Sequence, residues 1–109
     1  MDWSKPVVSR GFGEVVAKTA DDKWLVEQYK SGQVLYFFGD YHKAIKKWAP
    51  LLNYNFAVAQ ARMGWLYQMG LGVETDTKKA NQLYLAAAEQ NNEVAKNNLS
   101  VMSKSESED

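Results

Sequence analysis

The sequence predicts an all-α fold built as a stack of helical hairpins, and three observations predict it. After residue 20, apolar residues recur three and four apart in successive runs, the spacing of one face of an α-helix. The connections between runs are short, so consecutive helices lie antiparallel. A pattern also repeats: Ala59-x-x-x-Met63-Gly64 returns 36 residues later as Ala95-x-x-x-Leu99-Ser100. Such a period belongs to stacked helical repeats, a short α-solenoid, rather than a closed bundle. No strand-like alternation competes after residue 20.

The first helix is expected over residues 24–38, where Trp24, Leu25, Gln28, Leu35 and Tyr36 carry the spacing. Asp21 or Asp22 is its expected N-cap. Gly39-Asp40-Tyr41 breaks the run, because glycine accepts a left-handed C-cap that other residues resist. A second helix follows over about residues 41–52, with Ala44, Ile45, Trp48 and Leu52 on one face. Pro50 lies near its end and lacks an amide hydrogen, so the helix kinks or stops early there. Asn53 to Asn55 read as a turn, and residues 56–69 as a third helix. A fourth spans residues 77–90, with Ala80, Leu83, Tyr84, Ala87 and Ala88 on its apolar face. Asn91 and Asn92 turn the chain into a fifth, about residues 93–102, carrying Val94, Ala95, Leu99 and Met102. Residues 103–109 hold three acids and one lysine and are expected to be a disordered tail. Residues 1–20 read as a lead-in segment.

The connector between the third and fourth helices has an unusual composition. Gly70 and Gly72 flank Leu71, a lone Val73 follows, and Asp76 stands just before the next helix. Gly70 ends one helix and Gly72 permits a sharp return. Val73 folds back as a hydrophobic plug, and Asp76 caps the fourth helix. Gly64 lies inside a helix, where glycine is about 1 kcal/mol worse than alanine. A close helix crossing explains it, with Ala80 as the small facing surface and Tyr67 and Tyr84 filling the volume around it. The connector is therefore read as part of the packing unit and not as a ligand loop.

Together these residues resemble the Sel-1-like repeat, a subclass of the tetratricopeptide superfamily. The motif runs from Ala59 and Gly64 through Tyr67, Gly70, Gly72-Val73 and Asp76 to Lys79-Ala80, Tyr84 and Ala87-Ala88. The resemblance covers about residues 59–100. Gly32, Gly39-Asp40-Tyr41, Ala44 and Trp48 are similar to an ordinary tetratricopeptide unit. Glu27 and Ser31 depart from that pattern, and the glycine-rich insertion is missing. The resemblance thus implies a short right-handed α-solenoid of about two and a half helix-turn-helix repeats over residues 21–102. Its last copy is a single helix with Ser100 in place of glycine, as suits a terminal cap.

Composition narrows the function. The chain of 109 residues is 46% apolar and balances 13 basic against 13 acidic residues, so no bulk charge points to nucleic acid or an anionic membrane. It has no cysteine, which removes disulfides, thiolate metal sites and cysteine nucleophiles. The N-terminus does not read as a signal peptide and no run is long enough to span a bilayer, so a cytoplasmic protein is expected. Arg10-Gly-Phe-Gly-Glu-Val-Val-Ala-Lys18 looks like a kinase glycine-rich fragment, but the spacing and every downstream motif are wrong. His42 is the sole histidine and has no ligand set around it. No serine has a supporting base. No enzyme activity and no cofactor is expected.

In tetratricopeptide-like solenoids the first helix of each pair lines the concave surface. Lys43, Lys46, Lys47, Lys78 and Lys79 lie on second helices, and the resemblance makes them a solvated outer face. Aligning on Gly32, Gly64 and Ser100 predicts the concave residues. The first unit offers Val26, Tyr29, Gln33, Tyr36 and Phe37; the second offers Val58, Ala61, Trp65, Gln68 and Met69; the third offers Val94, Asn97 and Val101. This aromatic strip with a few amides suits an apolar helix or an extended peptide of another protein. The expected function is a protein-interaction module, either a small adaptor or an inhibitor or immunity-type protein. The alternative is a self-associating structural subunit, such as a homodimer joined through open solenoid ends. A nucleic-acid role is disfavoured by the charge balance.

Overall fold

The computed structural model describes residues 20–107. Five α-helices and one 3-10 helix follow one another: α1 Ala20–Phe37, α2 Tyr41–Trp48, the 3-10 segment Ala49–Tyr54, α3 Ala57–Met69, α4 Thr77–Ala88 and α5 Glu93–Ser107. They form a small helical-repeat solenoid measuring 52 × 28 × 18 Å. α1 packs on α2, α3 on α4, and α4 on α5, so neighbours in sequence are neighbours in space.

Each connection is closed by a residue in the left-handed region. After α1, the Gly39 amide donates to the Tyr36 carbonyl (2.9 Å) and the Asp40 amide to the Leu35 carbonyl (2.9 Å), the paired bonds of a Schellman motif. Asn91 closes α4 in the same way, with Asn92 reaching the Ala87 carbonyl at 3.1 Å. Asn55 closes the 3-10 segment and Gly70 closes α3. Asn92 then caps α5, its side-chain oxygen accepting from the Ala95 amide at 2.9 Å.

Two boundaries differ from the sequence expectation, and the early stop at Pro50 agrees with it. α1 begins by Ala20, so Asp21 and Asp22 lie inside its first turn and are not its N-cap. α2 ends at Trp48, and Pro50 leads a 3-10 segment instead of a continued α-helix. The missing proline amide breaks the i to i−4 ladder, and the tighter winding takes over. α5 does not stop at Met102 but continues to Ser107. The glycine-rich stretch of residues 10–18 and the rest of the lead-in, residues 1–19, lie outside the described residues.

The interior holds two apolar clusters. The first joins Leu25, Tyr29, Ala44, Trp48 and Leu51 to Ala59, Met63 and Leu66 of α3. The second joins Ala61 of α3 to Ala80, Tyr84, Ala87 and Ala95. α3 feeds both, which is why it is apolar nearly all round. Its one buried charged or polar side chain, Gln60, donates to Asn55 Oδ1 at 2.7 Å and accepts from Gln90 at 3.0 Å.

Each hairpin carries an aromatic ring seated on a glycine. Trp48 of α2 lies against Gly32 of α1 so closely that a methyl group there would overlap the indole. Tyr84 of α4 lies against Gly64 of α3, where a methyl carbon would sit 2.7 Å from the ring. Tyr84 thus fills the space at Gly64, as expected, and Ala80 is fully buried in the same cluster as Tyr84. The glycine makes room for the ring between two closely packed helices.

The connector behaves as a spacer between hairpins. Gly70 and Gly72 take φ of 71° and 77°, conformations that residues with a Cβ rarely adopt. Leu71 and Val73 pack on the first cluster. A methyl at Gly72 would stand 2.9 Å from Tyr41 Cβ and 3.0 Å from Ile45 Cδ1, both on α2. The loop of the second hairpin is therefore pressed onto the first. Its far end is fixed by the Asp76 amide donating to the Tyr67 carbonyl at 2.9 Å. Asp76 Oδ1 accepts from the Lys79 amide at 3.0 Å, the expected cap.

Candidate functional site

Long side chains bridge α1 and α3 through two hydrogen bonds. The Trp65 indole N–H donates to the Tyr36 hydroxyl at 3.0 Å. Arg62 Nε donates to the Tyr29 hydroxyl at 3.1 Å, and its guanidinium carbon lies 5.7 Å above the centre of the Tyr36 ring. Helical spacing sets this up. Tyr29, Gln33 and Tyr36 recur along one line of α1, and Arg62, Trp65 and Met69 along the facing line of α3.

The predicted contact residues divide into three groups. Phe37 and Met69 are exposed, at 70% and 50%. Val26, Gln33, Tyr36, Val58, Trp65 and Gln68 are partly buried. Tyr29 is a correction: its ring is buried, stacked on Trp48 at 5.8 Å, and only its hydroxyl reaches the Arg62 edge. Trp48 also donates its indole N–H to the Tyr29 carbonyl at 2.9 Å, so residue 29 is locked into the first hairpin. Ala61 is a second correction, buried in the second cluster. Val94, Asn97 and Val101 are exposed on α5, a helix that packs on α4 and takes no part in the cluster of α1 and α3 described above.

Tyr36 has two roles. Its ring touches Trp48 (5.9 Å), Tyr41 (5.4 Å) and Phe37 (5.7 Å), so it buttresses the first core while its hydroxyl faces α3. Among the described residues Trp65 pairs with no other ring, and its indole N–H donates to the Tyr36 hydroxyl. Gln68 is partly committed, because its side-chain oxygen accepts from the Tyr84 hydroxyl at 2.7 Å. Burial raises the Tyr84 phenol from 10.0 to about 12, while a hydrogen bond with Asn98 pulls the other way. That hydroxyl therefore ties α3, α4 and α5 together.

Arg62 and Asn98 were missed by the sequence reading. Spacing alone could have found Arg62, which stands three residues before Trp65 on the same helical face. Asn98 has no such signal, since its partner is fixed only by the stacking of α5 on α4. Elsewhere, an open groove of about 660 Å³ runs between α1 and α2, floored by Val34 and Leu35 and edged by Lys43, Lys46 and Lys47. His42 is exposed on the first turn of α2. Among the described residues, no helix is long and apolar enough to cross a membrane.

Comparison with known proteins gives one match: residues 57–92 fit the family model of the Sel1 repeat. The segment contains α3, the glycine-rich connector and α4 whole. No curated protein and no solved structure matches the chain.

Proposed function

We propose that the chain, which matches the Sel1 repeat over residues 57–92, binds another protein along the open face of α1 and α3. Sel1 repeats generally serve as protein–protein interaction modules. The observation that carries the reading is the apolar edge of exposed Phe37 and Met69 with partly buried Tyr36 and Trp65, the last two joined by a hydrogen bond. Aromatic anchors with ordered polar tips are the residues that dominate protein interfaces. An apolar helix or an extended strand from a partner would cover Phe37 and Met69 and leave the fold unchanged. An adaptor and an inhibitor both fit this use of the face.

The test separates the face from the core. Trp65→Gln and Met69→Ser are expected to abolish partner binding with helicity retained, measured by affinity capture alongside circular dichroism. Tyr36→Gln is a poor probe, because its ring also supports Trp48 and Tyr41. Retained binding in both variants would refute the reading.

A second reading, self-association, is favoured by one observation. α5 packs on α4 and exposes Val94 and Val101, at 58% and 60%. That open end could join a second copy. Light scattering over a concentration range decides it, since a strict monomer rules it out.

A further inference from the structure

Resting on the interaction reading above, we propose that the α1–α3 face selects a partner segment carrying a carboxylate, an Asp or Glu side chain beside an apolar residue, and that Arg62 reads it. Arg62 is partly buried, and no described carboxylate pairs with it. Of its five N–H donors, one goes to the Tyr29 hydroxyl. The Tyr36 ring below and the Tyr29 hydroxyl beside it hold the guanidinium in one orientation. Its terminal N–H groups are left as an ordered fork.

Among the described residues, the groups bonded around Arg62 add donors. The Tyr29 hydroxyl accepts from Arg62 and the Tyr36 hydroxyl accepts from Trp65, so each retains its own O–H to donate. A partly buried cation with no counter-ion among the described residues, beside hydroxyl donors, is complementary to an acceptor-only group. The single charge of Arg62 matches the single charge of a carboxylate better than the near-double charge of a phosphate. Phe37, whose ring meets the Tyr36 ring that carries Arg62, and Met69, two turns along α3, are exposed and offer apolar contact for the residue beside the acid. Water would be excluded as that residue docks, which strengthens the ion pair.

The experiment uses the full chain to select from a display library of random twelve-residue peptides, then measures affinities of synthetic winners by fluorescence anisotropy. Enriched peptides are expected to share an Asp or Glu next to an apolar residue. Replacing that acid by its amide should weaken binding about tenfold or more, the scale of losing a charge-assisted bidentate pair. Arg62→Met should erase the difference between acid and amide, Arg62→Lys should restore part of it, and Lys46→Gln should change neither. Circular dichroism confirms that each variant is folded. Peptides that bind through Trp65 with equal affinity as acid and amide would overturn the carboxylate assignment and leave the interaction face standing. Tighter binding of a phosphoserine peptide than of the acid would also overturn it. Failure to enrich any peptide sensitive to Trp65→Gln would overturn both.

Discussion

The two hairpins of this protein reach the same packing by different sequences. In each, a glycine on the first helix receives an aromatic ring from the second: Gly32 takes Trp48 and Gly64 takes Tyr84. In each, the ring's polar tip donates back to the first helix, Trp48 to the Tyr29 carbonyl and Tyr84 to the Gln68 side chain. They differ in the connection. The first hairpin turns through three residues, 38–40; the second needs the long glycine-rich connector, which packs on α2 through Gly72 and Val73. The seat is thus a property of one hairpin, and the connector is a property of the junction. Only the hairpin with the connector carries the recognisable repeat signature, although both carry the seat.

This comparison ranks the effects of substitution. Gly32→Ala should be the most damaging, because the indole it strikes is fully buried and hydrogen-bonded to backbone. A loss of about 3 kcal/mol is expected from overpacking, read as a fall in thermal midpoint. Gly64→Ala should be milder, at about 1–2 kcal/mol, since alanine recovers helix propensity and a phenol bonded to a side chain can shift. Equal effects would show that the two seats are one device of equal rigidity. Asp76→Ala removes a single cap and should lower stability by about 1 kcal/mol without touching the first hairpin.

Tyr84 distinguishes the hairpins by pH as well. Its phenol is held up at about 12 by burial, against 10.0 in an unfolded chain. Between those values the unfolded chain loses the proton and the folded chain keeps it, so stability falls as pH rises. The contribution is whole below pH 10 and gone above about 12. Tyr84→Phe should flatten this alkaline slope in a denaturant titration, whereas no substitution at Trp48 can do so.

Much of the architecture was legible because helical spacing, turn residues and caps are local signals. Gly39, Asn55, Gly70 and Asn91 each close the segment the sequence suggested, and Asp76 caps α4. The core side of the candidate face was less legible. Tyr29 and Tyr36 lie on one line of α1, yet Tyr29 is buried by a stacked Trp48 that arrives from a different helix. The same limit hid Ala61 and Asn98. Spacing places a residue on a face, but whether that face is covered depends on the angle at which the next helix crosses. Gln60 shows it again: an amide in mid-helix is buried only because Asn55 and Gln90 meet it from two separate turns.

The account divides the large aromatics into rings that hold hairpins together and rings left for a partner. Thermal melts of Trp48→Gln and Trp65→Gln, followed side by side by far-ultraviolet circular dichroism, test that division most directly. Trp48→Gln should abolish the cooperative transition, and Trp65→Gln should melt within about 4 °C of the parent, the shift of roughly 1 kcal/mol in a domain of this size. Two variants that unfold alike would contradict it, because Trp65 would then belong to the core and the face would have no anchor to offer.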